Sequence, residues 1–568
     1  MSASILRFFV CLSVGAAFAG TAPPLKHHDI PYDVLITNGT IIDGSGKPGF
    51  AGDVAIRGDR IVKIGSLSGE KARRRIDAKG LVVAPGFIDM MGQSELSLLI
   101  DPRAQSKVFQ GITTEVTGEG QSAAPITDYQ IHEQRDFLKH YKIKVDWRTL
   151  GGYFKRLEQH PTAINLATFV GSAQVRQYVM KDAKREPTPA ELENMCGLVK
   201  EAMEQGALGV TSALMYPPNS YAKTKELIAL SRVAAQYGGI YATHMRNEAD
   251  TIRSSLDEAM RIGREAGIPV EIFHLKVAGK RNWGQMPNVL KKIEEARAGG
   301  LDITADQYPY TAAANGLGSC LPTWAAEGGL EKSLSRLRDP MTRARIKQEI
   351  RNPKPGVDDV YVSAGGGRGI MICGVLNRKL KKYEGKFLPE VARLMGKKDE
   401  LDALMDLLLA DRANTGEVLF VMSEPDVQSA MKLPWIGVCC DADARSLDGP
   451  MSDLSTHPRA YGSFPRILGR YVRDLKLLTL EEAIYKMTYR SAERVHLKYR
   501  GLLKPGYFAD MVVFDPSTIR DKATYEKPAQ LSIGMRYVLV NGRAVIENGK
   551  QTTARPGRPL RGPGYVRK

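Results

Sequence analysis

Hydrophobic and polar positions alternate most informatively between Gly239 and Gly279. Two short apolar runs, Gly-Ile-Tyr-Ala-Thr-His at 239–244 and Ile-Pro-Val-Glu-Ile-Phe-His at 268–274, each end in a histidine. Between them Ile252, Leu256, Ala259, Met260 and Gly263 recur at helical spacing, and Gly267 closes the pattern. The pattern predicts a strand–helix–strand unit whose crossover length suits two parallel, neighbouring strands. Adjacent strands lie about 4.8 Å apart. His244 and His274 are therefore expected side by side at the carboxyl ends, where one metal ion can bind both. The alternative is two imidazoles each satisfied by backbone. Two at matching ends of consecutive strands, in a chain with nine histidines, favour the metal.

The same alternation extends through the centre of the chain. Apolar runs near 82–89, 112–118, 164–170, 207–212, 240–244, 270–274, 303–308 and 435–441 read as strands, most of them separated by helical stretches. Eight such units predict an α/β fold, a (β/α)8 TIM-like barrel over residues 81–499, with the site in loops after the strands. The stretch from about 311 to 418 is too long for one crossover and reads as an insertion, a lid over the site. Gly365-Gly366-Gly367 within it lacks the strand-to-helix setting and lysine of a phosphate loop, and reads as a flexible loop. Both ends of the chain carry short β runs with turn residues. Residues 30–80 and 500–560 are expected to build one β-sandwich beside the barrel. In the first of these, Val34–Ile36 and Thr40–Ile42 around Asn38-Gly39 read as a hairpin.

Composition narrows the classes. Hydrophobic content of 43% and charged content of 25% in 568 residues are those of an ordinary globular enzyme. The net charge of +17 is high, and part of it sits in the tail from Arg555 to Lys568. Basic runs are not interleaved with aromatics, which argues against nucleic acid. A basic surface that draws in anionic substrates or cell-envelope polymers fits better. Residues 1–19 have the form of a signal peptide: Arg7, the apolar run Phe8–Phe18, and Ala17-Phe18-Ala19 as a cleavage site. The mature chain is therefore expected in the periplasm or secreted. Stable membrane insertion is not expected, since no later segment is long and apolar enough to span a bilayer. Five cysteines remain after the leader, an odd number with two adjacent and no C-x-x-C, so buried free thiols are expected. Nothing in the pattern speaks to oligomeric state.

Two acids join the histidines. Asp441 ends the apolar run Trp435–Cys440, where a carboxylate is costly without a partner such as metal-bound water, or alternatively a helix N-terminus to cap. Glu119 lies just past the second strand, between Gly118 and Gly120, which let the backbone approach closely. It is the candidate third, anionic ligand. Glu115, inside the strand, is a weaker alternative.

Longer motifs surround these residues. They include Asp33-Val34-Leu35-Ile36-Thr37-Asn38-Gly39, Ala84-Pro85-Gly86-Phe87-Ile88-Asp89 and Thr243-His244-Met245-Arg246-Asn247-Glu248. Others are His274-Leu275-Lys276, Tyr308-Pro309-Tyr310-Thr311, His457-Pro458-Arg459-Ala460-Tyr461-Gly462-Ser463-Phe464-Pro465-Arg466 and Lys504-Pro505-Gly506. With them the chain resembles the amidohydrolase superfamily, and within it the N-acyl-D-amino-acid deacylases (D-aminoacylases). The resemblance implies a metal-dependent barrel flanked by a β-sandwich, hydrolysing an N-acyl amide. It implies that His244 and His274 are paired ligands on the fifth and sixth strands and that Asp441 is the catalytic acid of the eighth. It implies that Lys276 and Tyr308 hold the substrate carboxylate.

The departures are specific. Where the family's first strand ends in His-x-His, this chain has Met91 and Gln93, poor zinc ligands. Glu119-Gly120 takes the place of the family's cysteine ligand. The fourth-strand end offers Leu214 and Met215 and no lysine. One site remains: a single divalent ion, Zn2+ by expectation, on Glu119, His244 and His274. Asp441 is expected to move the proton, and Lys276, Tyr308 and Arg246 to orient the carboxylate of a small-molecule N-acyl amino acid. The rivals are a non-catalytic ligand-binding barrel and an amidohydrolase of cyclic amides or dipeptides.

Overall fold

The computed structural model describes residues 31–67, 69–354 and 359–567. The expected leader at 1–19 lies outside them. Eight parallel strands form the central barrel: β1 (Phe87–Asp89), β2 (Ile112–Thr117), β3 (Asn165–Thr168), β4 (Gly209–Ala213), β5 (Ile240–His244), β6 (Val270–Ile272), β7 (Ile303–Gln307) and β8 (Ile436–Val438). β1, β2 and β3 pair in parallel. A two-residue extension of β3, Val170–Gly171, pairs with β4. From β4 to β8 the pairing is continuous and parallel. The ring closes where Met90 N–H donates to Val438 O at 3.2 Å.

The runs are apolar on both faces because both are covered. Inward, Ile88, Val116, Ala167, Ala242 and Phe273 fill the barrel. Outward, Val210, Tyr241, Val270 and Ile303 meet the helices. The helix Ile252–Ala266 buries Ile252, Leu256, Ala259, Met260 and Gly263, and ends at Gly267 with φ +64°. At Gly263 a Cβ would lie 2.6 Å from Val270 Cγ2, so the helix can seat on β6 only with glycine there.

Strands from both chain ends join in one nine-stranded sheet. Met511–Phe514 pairs antiparallel with Val82–Pro85, which pairs with Tyr32–Ile41. Val34, Ile36, Val54, Ile56, Met511, Val513 and Leu539 share one apolar cluster, the core of this β-sandwich domain. The hairpin expected around Asn38-Gly39 is instead a bulge in a single strand, Tyr32–Ile41. Asn38 adopts φ 63° and gives its N–H to Asp53 Oδ1 at 2.9 Å. The one extra residue is absorbed locally, and pairing with Phe50–Arg57 continues on either side. Beyond the sheet, the basic tail returns to the barrel. Leu166 N–H donates to Arg558 O, and Leu560 N–H to Leu166 O.

The insertion after β7 has a small sheet of its own, Ala313–Gly316, Gly416–Leu419 and Ile370–Cys373. It packs beside helices that include Leu330–Arg338 and Glu400–Ala410, over the carboxyl end of the barrel. The Gly365–Gly367 loop holds a carboxylate of its own chain: Gly367 N–H donates to Glu400 Oε1 at 2.9 Å. All five described cysteines are free, and all but Cys196 are buried. Among the described residues no helix is long and apolar enough to cross a membrane.

Candidate metal centre

Three strand ends bring Glu119, His244 and His274 together. Gly118 and Gly120, at φ 103° and 65°, let the loop after β2 lie against its neighbours. A Cβ on Gly118 would sit 2.8 Å from Phe169 O, and one on Gly120 2.6 Å from Ala213 Cβ. His244 closes β5 within the ladder. His274 lies two residues beyond β6, at φ 36°, an unusual conformation for a residue with a Cβ. Asp306 holds it there, accepting from His274 N–H at 2.7 Å. Burial pushes the Asp306 carboxyl up to about 7.

The ligand atoms of the three residues lie within 4.8 Å of one another. His244 Nδ1 is 2.8 Å and His274 Nε2 3.2 Å from the same oxygen, Glu119 Oε1. Each ring turns its other nitrogen to one carboxylate, Glu248, at 3.4 Å for His244 Nε2 and 3.2 Å for His274 Nδ1. Lys276 Nζ donates to both Glu248 oxygens at 2.7 and 2.8 Å and lies 2.6 Å from His274 Nδ1. Burial would raise the Glu119 carboxyl, but the hydrogen bonds from His244 and His274 outweigh it and hold it well below the usual range. Burial would likewise raise Glu248, and the charge of Lys276 and both imidazoles brings it down. Burial and Lys276 push His274 down, and Glu248 and Glu119 overcome them, leaving it raised to about 9. Two nitrogens and one carboxylate oxygen, converging and oriented from behind by a second carboxylate, are a donor set that fits a zinc ion.

Asp441 lies three residues past β8, at φ 49°, with its N–H on Met91 O at 2.8 Å. Its carboxylate pairs with Arg459 Nη1 at 2.8 Å. Gln93, standing where a histidine ligand was missed, donates from Nε2 to Glu119 Oε2 at 2.7 Å and approaches Asp441 Oδ1 at 3.4 Å. All of these line one cavity of about 310 Å³, together with Tyr216, Lys276 and Tyr308. The Tyr308 hydroxyl is buried without a hydrogen-bond partner among the described residues. The insertion supplies the opposite wall through Ala313–Gly316, Leu419 and Val421.

Two residues expected at or near the site, Arg246 and Glu115, are not among those that line it. Arg246 does not reach this cavity. Its guanidinium is spent on Glu258, at 2.8 and 2.9 Å, and on the carbonyls of Ser220 and Ala222. Glu115, the weaker ligand candidate, faces Lys107 at 3.4 Å beside the Lys107–Asp89 pair, fully buried and away from the cavity.

The amidohydrolase family model matches residues 74–346 and 443–546. A D-aminoacylase of Alcaligenes xylosoxydans xylosoxydans is 38% identical over 93% of this chain and 98% of its own. The chain belongs to the amidohydrolase family, on its D-aminoacylase branch. Among solved structures, this amidohydrolase is similar to the N-acyl-D-glutamate deacylase of Bordetella bronchiseptica. That protein was complexed with zinc and a phosphonate mimic of the tetrahedral intermediate. The TM-score is 0.78 and the identity 32%, over 94% of this chain and all of that one. A D-aminoacylase described by one-metal activation and second-metal attenuation of its binuclear centre superposes equally well, at TM-score 0.78 and 35% identity, with 94% and 100% covered.

In this amidohydrolase the cavity also contains Glu248 and Arg459, for which the sequence predicts no role. Glu248 follows His244 by four positions, but through a non-helical loop, so the spacing by itself does not place the carboxylate beside the imidazole. Arg459 has no local signal either, because its segment reaches the cavity only through tertiary packing.

Proposed function

We propose that this protein is a metal-dependent hydrolase of N-acyl-D-amino acids, releasing a carboxylic acid and a free D-amino acid. The observation that carries this reading is the convergence of Glu119, His244 and His274 in the same cavity as Asp441. The names of the relatives support the substrate class.

Glu119, through one oxygen, His244 through Nδ1 and His274 through Nε2 would hold the ion. When bound there, zinc supplies Lewis acidity, polarising an amide carbonyl and lowering the pKa of water to about 7. Asp441 accepts the proton of the attacking water and returns it to the departing amine. Arg459 holds that carboxylate in place in the cavity. Arg459 and the unpartnered Tyr308 hydroxyl provide a cation and a donor for the substrate carboxylate, and Lys276, paired with Glu248, adds its charge beside them. The insertion strands shield the reacting groups from bulk water, which strengthens each of these interactions. Gln93 fills the place of a first-strand ligand with an amide that bridges Glu119 and Asp441, so one ion is the expected complement. One-metal activation of the related D-aminoacylase is in keeping with that.

The test pairs metal analysis with turnover. Protein purified without chelators should hold one equivalent of a divalent metal and hydrolyse N-acetyl-D-amino acids. Asp441→Asn should keep the metal and lose about 10²- to 10⁴-fold in kcat. No metal and no turnover across D- and L-acyl amino acids, dipeptides and hydantoins would leave the non-catalytic barrel; turnover of hydantoins alone would replace the deacylase. Export rests on residues 1–19 alone, and intact-mass analysis of the mature protein, beginning near Gly20, checks it.

A further inference from the structure

A second cavity, of about 550 Å³, adjoins the metal centre. Gln93 is the wall common to both. On one side its amide reaches Glu119 and Asp441. On the other lie Gln121, Ser122 and Ala123, which continue the chain from Glu119. Leu96, Ile126, Phe137, Val145, Trp147 and Leu330 line this second space.

Its polar lining is largely committed elsewhere. Gln130 donates to Gln174 O, and Gln174 to Pro125 O. Gln177 donates to Asp182, and Trp147 Nε1 to Ala123 O at 2.8 Å, which leaves the indole ring as wall. Asp136 pairs with Arg412, Asp443 with Arg445, and Glu133 accepts from Leu330 N–H. Burial pushes the Glu95 carboxyl up to about 7, so it is only partly ionised in neutral solution. Most of what remains open to a guest is apolar surface.

The two cavities differ in kind. The first holds Lys276, Arg459 and Tyr308, the groups that suit a carboxylate. A substrate anchored there, with its amide at the metal centre, must extend its acyl half away from those cations. We propose that the second cavity receives this acyl half, and that the preferred acyl group is an unbranched apolar chain longer than acetyl. The inference rests on the deacylase reading and adds to it the half of the substrate that the relatives' names leave open. A second carboxylate would lose its hydration against the apolar wall of this cavity, so succinyl and glutaryl groups are disfavoured.

The experiment uses the metal-loaded full chain and the D-amino acid it hydrolyses fastest as its N-acetyl derivative. N-acetyl, N-butanoyl, N-hexanoyl and N-succinyl derivatives of that amino acid are compared. The kcat/KM should rise about three- to fourfold per added methylene, the gain expected from burying each one. The succinyl derivative should fall below the butanoyl one. In Val145→Trp and, separately, in Phe137→Gln, the hexanoyl-to-acetyl ratio should fall toward one; two variants at partly exposed positions guard against a single folding failure. A flat or falling response to chain length in the wild type, or a ratio unmoved in both variants, overturns the acyl cavity while leaving the deacylase standing. Hydrolysis of no N-acyl amino acid at all overturns both.

Discussion

Glu248 shows how much one side chain can organise. It faces the outer nitrogen of both imidazoles and binds Lys276. Glu248 and Lys276 together pack against the outer side of the two rings, which keeps His244 Nδ1 and His274 Nε2 turned toward Glu119 and the ion site. Glu248→Gln should therefore weaken metal binding about 10- to 100-fold, read by competition with a chromophoric chelator. Equal affinity in the variant would reduce Glu248 to a partner of Lys276 alone. Of the residues at this centre, Glu119, His244, His274 and Asp441 were legible in the sequence because each follows an apolar run and sits where a polar group needs a reason. Arg246 was misread because an arginine two residues from a ligand looks local to the site. In the fold its chain has already turned outward, toward Glu258.

At the scale of elements, the strands were legible and their ends were not. β6 stops at Ile272 and β8 at Val438, two and three residues short of His274 and Asp441. Both His274 and Asp441 are in left-handed turns that periodicity cannot register. The insertion carries its own titratable element. Glu417, on the middle strand of its sheet, is fully buried and accepts from Ser319 Oγ at 2.7 Å and from Cys320. Burial pushes its carboxyl from 4.5 up to about 7. An acid with a raised folded-state pKa keeps its proton longer in the folded than in the unfolded chain. Its cost to stability is absent below about pH 4.5, grows as the pH rises toward 7, and is complete above that. The full cost is on the order of 3 kcal/mol. Glu417→Gln should thus raise the thermal midpoint at pH 8 and make no difference near pH 4.5, measured by thermal scans in paired buffers. A pH-independent difference would mean that the carboxyl titrates alike in the folded and unfolded chain.

The whole molecule is held by contacts between residues far apart in the chain. Asp510 Oδ1 accepts from Asn541 N–H at 2.7 Å, and Asn165 on β3 donates to Asp510 Oδ2 and accepts from Asn541. Arg500 completes this buried group, paired with Asp510. It joins the sandwich to the barrel, and Asp510→Ala leaves Arg500 buried without its counter-charge. A loss of about 3–5 kcal/mol is expected in urea unfolding. A loss below 1 kcal/mol would show that water replaces the carboxylate at this junction.

The sequence by itself determined the alternation of strand and helix, the insertion, the contribution of both chain ends to one sheet, and the four polar groups at strand ends. These follow from local periodicity and from the cost of leaving a polar group in an apolar setting. Only the tertiary structure decided which atoms of those groups face one another, and that Glu248, Gln93 and Arg459 complete the centre. It alone placed an apolar cavity against Gln93. Those outcomes depend on how distant segments close around the barrel mouth, and no window of neighbouring residues contains that information.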